Sequence, residues 1–504
     1  EDDITFATTG GRLLRLSNEL LYTGADYSID VQLGASWAGK LASGSEAQVR
    51  LRFSARTITG ENIQHDVTST FRTLASDEQT SRRIDNESIL EFYPGVGSTP
   101  AEGDAFVGRS GEIETLHNHL VGAPQPSPVL LTGMRRVGKT SLLFAFHNRH
   151  RQPAVSQAVS IYVSIAESRS AFMSPDQTVS GAFFRAVARA IGKANFPVSD
   201  HNRFVGERLK SVVGTERNSV RVAIDHCYDD ESLADSLILL GERLTTWLGV
   251  SRAVLLIDEA EALTVPYNSG GVKRLEIEQL LQSLREVSQT TSSLAIVLSG
   301  SNHIVEFARE YKNAFFGSCA RVELAGITDL SEAGRLIAPS RIHPYVQFDA
   351  QAIQYGISLC AGMPQYMWQL GAAVAARVRS GPALRSDVRA AASTLVEGAE
   401  DDLPFKVYDV LEPVEHMLKL EGRREQDLLW LLLRHVAMHS SLAITEAPRH
   451  FLLDQVLMDL DSREEWQRRI RHLVELDLLV MPQPNTFAFK IPILAEAFRS
   501  TRHH

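Results

Sequence analysis

The stretch PVLLTGMRRVGKTSLLFAF, residues 128–146, joins three signals: an unbroken apolar run, a glycine-bounded turn, and a helical pattern from Lys139 onward. An apolar run without alternation reads as a strand buried on both faces. Such a strand needs helices above and below a parallel sheet. Four further runs repeat the theme: AVSIYVSI (158–165), AVLLID (253–258), LAIVLSG (294–300) and RVELAG (321–326). Helical stretches at 139–149, 178–192, 231–248 and 274–288 fall between or beside them. Residues 105–328 therefore read as a three-layer α/β core.

The flanks read differently. YSIDVQLG (27–34), EAQVRLRFSARTI (46–58) and IQHDVTSTFRTL (63–74) alternate apolar and polar positions, which predicts antiparallel strands and a small β-sandwich over 1–95. The turn-rich segment 96–104 reads as a linker. Beyond about 330 helices replace strands, giving a helical lid over 329–400. Residues 401–504 close with helices and a hairpin-like LLVMPQPNTFAFKI (478–491). At 504 residues the chain outgrows one core. The expected fold class is multidomain: a β-sandwich, an α/β P-loop core with a parallel sheet, a helical lid and a C-terminal winged helix.

Composition narrows the function classes. The net charge of -10 argues against blanket binding to nucleic acid and leaves room for a local basic face. The longest uncharged run, 350–376, is broken by glutamines and Pro364, so no membrane span is read and a cytoplasmic location is expected. Cys227, Cys319 and Cys360 lack metal-ligand spacing and read as reduced thiols, most simply small core residues. The chain opens on Glu1 rather than methionine, and a further N-terminal region is expected upstream.

Gly133-x-x-x-x-Gly138-Lys139-Thr140 is a complete P-loop pattern between a buried strand and a helix. Glycines let successive N–H groups turn toward phosphates, and the helix N-terminus adds positive potential. Lys139 is placed to reach β- and γ-phosphates and the Thr140 hydroxyl to bind Mg²⁺. Arg136, Val137 and Ser141 complete the cradle. VLLIDE (254–259) brings two carboxylates to the C-terminal end of a buried strand. Asp258 is read as the second Mg²⁺ anchor and Glu259 as the group that orients and activates water. An acidic turn capping the next helix explains the same letters; the complete P-loop upstream decides for the catalytic reading. LSGSN (298–302) offers Asn302 or Ser301 as a polar sensor of the γ-phosphate, although Ser301 equally suits a helix N-cap.

Taken in order, FVGRSGEIETL (106–116), GMRRVGKTSLL (133–143), VLLIDEAEAL (254–263), LSGSN (298–302) and AGMPQYMWQLG (361–371) resemble the STAND and Orc-like branch of AAA+ ATPases, close to the archaeal-type ATPases. The resemblance covers about 104–495. It implies ATP or ADP with Mg²⁺ as ligands. By the same resemblance Phe106, Val107 and Gly108 line an adenine pocket with Arg109 near the nucleotide. Gly362 and Pro364 carry a Gly-x-Pro motif whose proline packs on the base from the lid. A small hydrophobic anchor for the linker is the competing use of Phe106 and Val107. Relatives often carry an arginine directly after the glycine of the stretch matching NAFFGSCARVEL (313–324); Ser318 stands there, and Arg321 is nearest. Weak or assembly-dependent hydrolysis follows, with Arg135 and Arg136 as partial electrostatic substitutes. The N-terminal β-module resembles Ig-like modules that precede such ATPases.

REEWQRRIRHLVELDLLV (463–480) spaces Trp466, Ile470, Leu473 and Val474 on one helical face and sets Arg463, Arg468, Arg469, Arg471 and His472 largely elsewhere. This is the layout of a recognition helix and wing. Two uses stay open: a switch arm against the ATPase, or a grip on DNA phosphates. The first belongs to a signalling ATPase that forms a homo-oligomer on ATP, answers an unknown trigger and passes the signal to an effector domain or protein, as in microbial antiviral defence. The second belongs to a DNA-associated ATPase of the initiator or transposition-regulator kind.

Overall fold

A computed structural model describes residues 4–7, 13–16, 46–56, 62–72, 84–93, 100–150, 157–192, 203–214, 217–229, 231–268, 271–311, 314–397, 411–418, 423–438, 442–443, 463–483 and 486–500. They fall into two units, one of residues 1–83 with 344–346 and 379–381, the other holding the rest.

In the first unit, β1 (Ile4–Ala7) pairs antiparallel with β2 (Leu13–Leu16), and β3 (Glu46–Arg56) with β4 (Asn62–Arg72). The β3–β4 register sets Ala47 opposite Phe71, Leu51 opposite Val67 and Ala55 opposite Ile63. A shift of one residue would set apolar positions against polar ones, so the alternation excludes the odd registers. The expected strand at 27–34 lies outside the described residues. The described residues of this unit give two two-stranded ladders, and the rest of the expected β-sandwich and Ig-like module lies outside them.

The second unit holds the sheet that the apolar runs anticipate. Its strands are β5 (Val129–Gly133), β6 (Ala158–Ser164), β7 (Arg252–Asp258), β8 (Leu294–Gly300) and β9 (Ala320–Leu324), all parallel, in the order β6-β7-β8-β5-β9. Every residue of β5, β7 and β8 is buried, as unbroken apolar runs require. Leu130, Ile161, Leu255 and Ile296 join one cluster with helices Val179–Gly192, Leu233–Leu248 and Gly271–Thr290. Because β8 lies between β5 and β7, the chain reverses its direction of winding beside the P-loop strand, where a crevice opens at the strands' C-terminal ends.

Helices Leu330–Ile337, Ala350–Cys360, Pro364–Val378 and Arg385–Glu397 occupy the stretch expected to form a lid, called the lid below. Two three-residue strands, Val346–Phe348 and Gly381–Ala383, interrupt the expected run of helices. The segment expected to end the β-module holds a short helix. Asn86–Phe92 is a helix capped by the Asp85 carboxylate, and the buried Tyr93 hydroxyl donates to the Ile337 carbonyl at 2.7 Å. The second unit thus starts at Ile84. Near the C-terminus, Arg423–Met438 and Arg463–Glu475 precede an antiparallel pair, Leu479–Gln483 with Thr486–Phe489, flanked by Leu442–Ala443. Among the described residues no helix is long and apolar enough to cross a membrane. The three cysteines are free thiols, and burial raises Cys319 to about 12.

One buried cation pins the end of the sheet away from the crevice. Arg252 donates to the carbonyls of Leu120, Val121, Ala123, Pro124 and Ser292 at 2.7–3.1 Å. Arg252→Met would leave these carbonyls unpaired, so the expected loss is about 2–4 kcal/mol of stability. Thermal unfolding checks this; a Tm within a degree of the unsubstituted chain would refute the clamp.

Candidate functional site

The loop between β5 and the helix Lys139–Arg149 has the backbone that its glycines allow. Gly138 sits at φ +100° as the N-cap, a conformation closed to most side chains, and no side chain caps this helix start. Arg136, which has a side chain, also holds a positive φ of 66°. Strain of this kind is kept where surrounding contacts over-determine it. The Lys139 ammonium folds onto the loop, donating to the Gly133 and Met134 carbonyls at 2.9 and 3.0 Å. Burial lowers its pKa, Glu261, Asp258 and Glu259 pull it up, and Arg135 lowers it further.

The acidic pair faces the same crevice. Thr140 Oγ1 donates to Asp258 Oδ2 at 2.6 Å, across 118 residues of sequence. Asp258 is 2% exposed and accepts three further bonds: Ser299 Oγ at 2.7 Å and the Glu259 N–H at 3.0 Å on Oδ1, and Tyr162 Oη at 3.0 Å on Oδ2. Burial raises the Tyr162 phenol far above its ordinary range, with Asp258 next in effect, so the hydroxyl remains a donor. Glu259, at φ +59°, turns away from Asp258 and accepts from Ser164 Oγ at 2.5 Å. Its pKa is raised, first by the protein packed around it and then by Asp258 and Glu261, against the Ser164 bond and Arg135. Two carboxylates with distinct surroundings therefore stand beside one lysine.

Asn302 begins the helix Asn302–Tyr311 and is buried; its amide donates to the Glu475 carbonyl at 3.4 Å. The Ser301 N–H donates to Glu261 at 3.1 Å, while its buried hydroxyl has no partner among the described residues. Ser299, two residues earlier in β8, is the side chain of this stretch that donates to Asp258. Ser318 donates to the Phe315 carbonyl, and Arg321 is exposed on β9.

A cleft of about 500 Å³, counted with its open mouth, lies on the other side of the loop. Phe106, Val107, Arg109, Arg136, Val137, Gly138, Ser141 and Pro364 all line it, joined by Ile327, Leu336 and Trp368. Core and lid meet here through bare backbone. A side chain at Gly362 (φ +70°) would strike the Ile327 carbonyl at 2.3 Å, and one at Gly326 the Ala361 carbonyl at 2.1 Å. This contact sets Pro364, the first residue of its helix, against the cleft. Arg109 braces the wall, donating to the Ala325 carbonyl at 2.6 Å and the Val137 carbonyl at 3.3 Å. Gly108 is not a lining residue; it passes Glu332 of the lid, whose carboxylate would lie 2.7 Å from any Cβ. The linker reaches the loop as well, since the Ala101 N–H donates to Ser141 Oγ at 2.9 Å.

A glycine loop at an uncapped helix start, a lysine and two carboxylates converge beside an apolar cleft. Residues 105–297 match the AAA ATPase domain. The chain carries an AAA ATPase domain. Its core is the α/β P-loop fold with a five-stranded parallel sheet, and the protein is a nucleotide-hydrolysing enzyme. No curated protein sequence matches the chain. Similar solved structures include the Aeropyrum pernix ORC2 protein in ADPNP–ADP complexes, at 14% identity and TM-score 0.49, over 80% of this chain and 96% of that one. The ORC1 protein of the same organism in complex with DNA aligns at 15% identity and TM-score 0.34, over 79% and 93%. These are distant likenesses.

Tyr162, Ser164, Ser299 and Glu261 are neighbours of the acidic pair and the lysine that sequence reading did not name. The letters of Tyr162, Ser164 and Ser299 are ordinary for strand ends, and only the strand order brings them to Asp258 and Glu259; Glu261 follows two residues on, in the short helix Ala260–Leu263.

In the C-terminal part, Ile470 and Leu473 are buried as expected, and Val474 is half-buried. Arg469 corrects the expected basic face. It is 6% exposed and forms a bidentate pair with Glu425 at 2.7 and 2.8 Å, so it ties two helices together, while Arg468 and Arg471 are exposed. The side chains of Arg463 and Trp466 lie outside the described residues.

Proposed function

We propose that the protein is an ATP-binding and ATP-hydrolysing switch whose nucleotide state governs the relation of its lid to its core, and through it assembly of a signalling oligomer. The observation that carries this reading is the 2.6 Å contact between Thr140 and Asp258 beneath the P-loop lysine. A hydroxyl and a carboxylate are hard-oxygen donors suited to Mg²⁺, which prefers such ligands and usually retains waters. Mg²⁺ supplies charge neutralisation on the phosphates when bound. Lys139 would leave its own loop carbonyls for phosphate oxygens, Asp258 would hold a metal-bound water, and Glu259 would take the proton of the attacking water. Adenine would lie in the cleft lined by Val107 and Ile327 of the core and by Pro364 and Trp368. A base clamped by two regions makes their closure depend on nucleotide.

The test is the nucleotide that co-purifies, together with particle size in ADP and in ATP–Mg²⁺. A nucleotide-free protein that ignores added ATP overturns the whole reading; identical size in both states overturns the assembly part. An antiviral role and an effector partner rest on the STAND resemblance and are tested by whether the full protein restricts phage in cells.

A second reading has one observation of its own: exposed Arg468 and Arg471 lie on a helix directly before a β-hairpin, as in a winged helix. On duplex DNA these two residues would contact phosphates. A salt-dependent shift lost in Arg468→Ala/Arg471→Ala favours that reading; assembly indifferent to the pair favours the first.

A further inference from the structure

We propose that Tyr162 is a latch on Asp258, its hydroxyl holding Oδ2 and thereby raising the Mg²⁺ concentration at which the nucleotide site fills. The inference rests on the nucleotide reading above. A carboxylate offers about four acceptor positions. Asp258 has four donors on it, two to each oxygen, and it is buried. A metal-bound water that donates to Asp258 must therefore displace one of them.

The four donors differ in how readily they yield. The Glu259 N–H is main chain, and Ser299 stands on β8, which is paired on both sides. Both sit on Oδ1. Thr140 shares Oδ2, but its oxygen would bind Mg²⁺ through a lone pair while its hydrogen keeps donating to Asp258, so it holds its place in this reading. Tyr162 remains. It stands on β6 at the edge of the sheet order, and its ring meets Phe144 edge-on at 4.9 Å, within the P-loop helix. The ring is thus held by packing, and its hydroxyl hydrogen turns about the C–O bond without moving the ring. The latch opens at low cost, yet it opposes the metal until it does.

Phenylalanine at this position keeps the ring and removes the donor. In Tyr162→Phe, the Mg²⁺ concentration giving half-maximal enhancement of ADP binding is expected to fall by a factor of about two to ten, the range of one net hydrogen bond. A fluorescent ADP analogue, titrated with MgCl₂ by anisotropy, reads this without turnover. ADP affinity in excess EDTA is expected to stay the same, because the displaced bond concerns the metal alone. A residue that only shapes the site would leave the Mg²⁺ dependence unmoved or weaken it, so an equal or higher half-saturation overturns the latch. Failure of the unsubstituted chain to bind ADP overturns the nucleotide reading instead, a distinct result. Thermal unfolding in EDTA confirms that Tyr162→Phe is folded.

Discussion

Lys139→Ala is expected to abolish the rise in Tm produced by ATP–Mg²⁺. A ligand at a hundredfold excess over its Kd stabilises the folded state by about 2.7 kcal/mol. For 504 residues unfolding together that corresponds to roughly 2 to 3 °C. The whole increment depends on the lysine, because the loop N–H groups alone leave the triphosphate charge largely unmatched. Among the described residues the ammonium bonds two loop carbonyls, Gly133 and Met134. The fold without ligand should therefore tolerate the truncation, and the unliganded Tm should move little. A thermal shift as large as that of the unsubstituted chain would remove Lys139 from the site.

Glu259→Gln is expected to lower the hydrolysis rate by a factor of about 10² to 10⁴, the usual contribution of a positioned general base. Binding of ATP–Mg²⁺ should persist, since in the proposed site Asp258 and not Glu259 anchors the metal. If ATP drives assembly, the variant should accumulate in the assembled form. The pH dependence has a definite sign. Glu259 acts as a base only when deprotonated, and its pKa is raised by the protein packed around it and by Asp258 and Glu261. The rate should fall on acidification, beginning at a higher pH than an ordinary glutamate would give, and the glutamine variant should lose that acid limb. Turnover at the normal rate in Glu259→Gln would assign the base elsewhere.

The P-loop and the acidic pair were legible in the letters for a local reason. Gly133, Gly138, Lys139 and Thr140 act through one turn of backbone, so their spacing carries the geometry. Asp258 and Glu259 follow a run of apolar residues that can only be a buried strand. The cleft was legible through resemblance: Phe106, Val107 and Pro364 do line one cavity, 258 residues apart in sequence for Phe106 and Pro364. Arg469 misled because helical spacing sorts residues into faces and is blind to partners. Glu425, on another helix, draws it inward. The helix Asn86–Phe92 went unread because seven residues show less than two full turns of period.

By itself the sequence determined the parallel core, the phosphate-binding turn and the carboxylates at a strand end, since each is specified by contacts within a few residues along the chain. Tertiary structure alone decided which groups surround Asp258. The order β6-β7-β8-β5-β9 sets Tyr162 and Ser299 on either side of it, while Glu261 reaches Lys139 from the turn beyond. Hydrogen bonds between strands form in space, and no spacing along the chain encodes which strand becomes the neighbour.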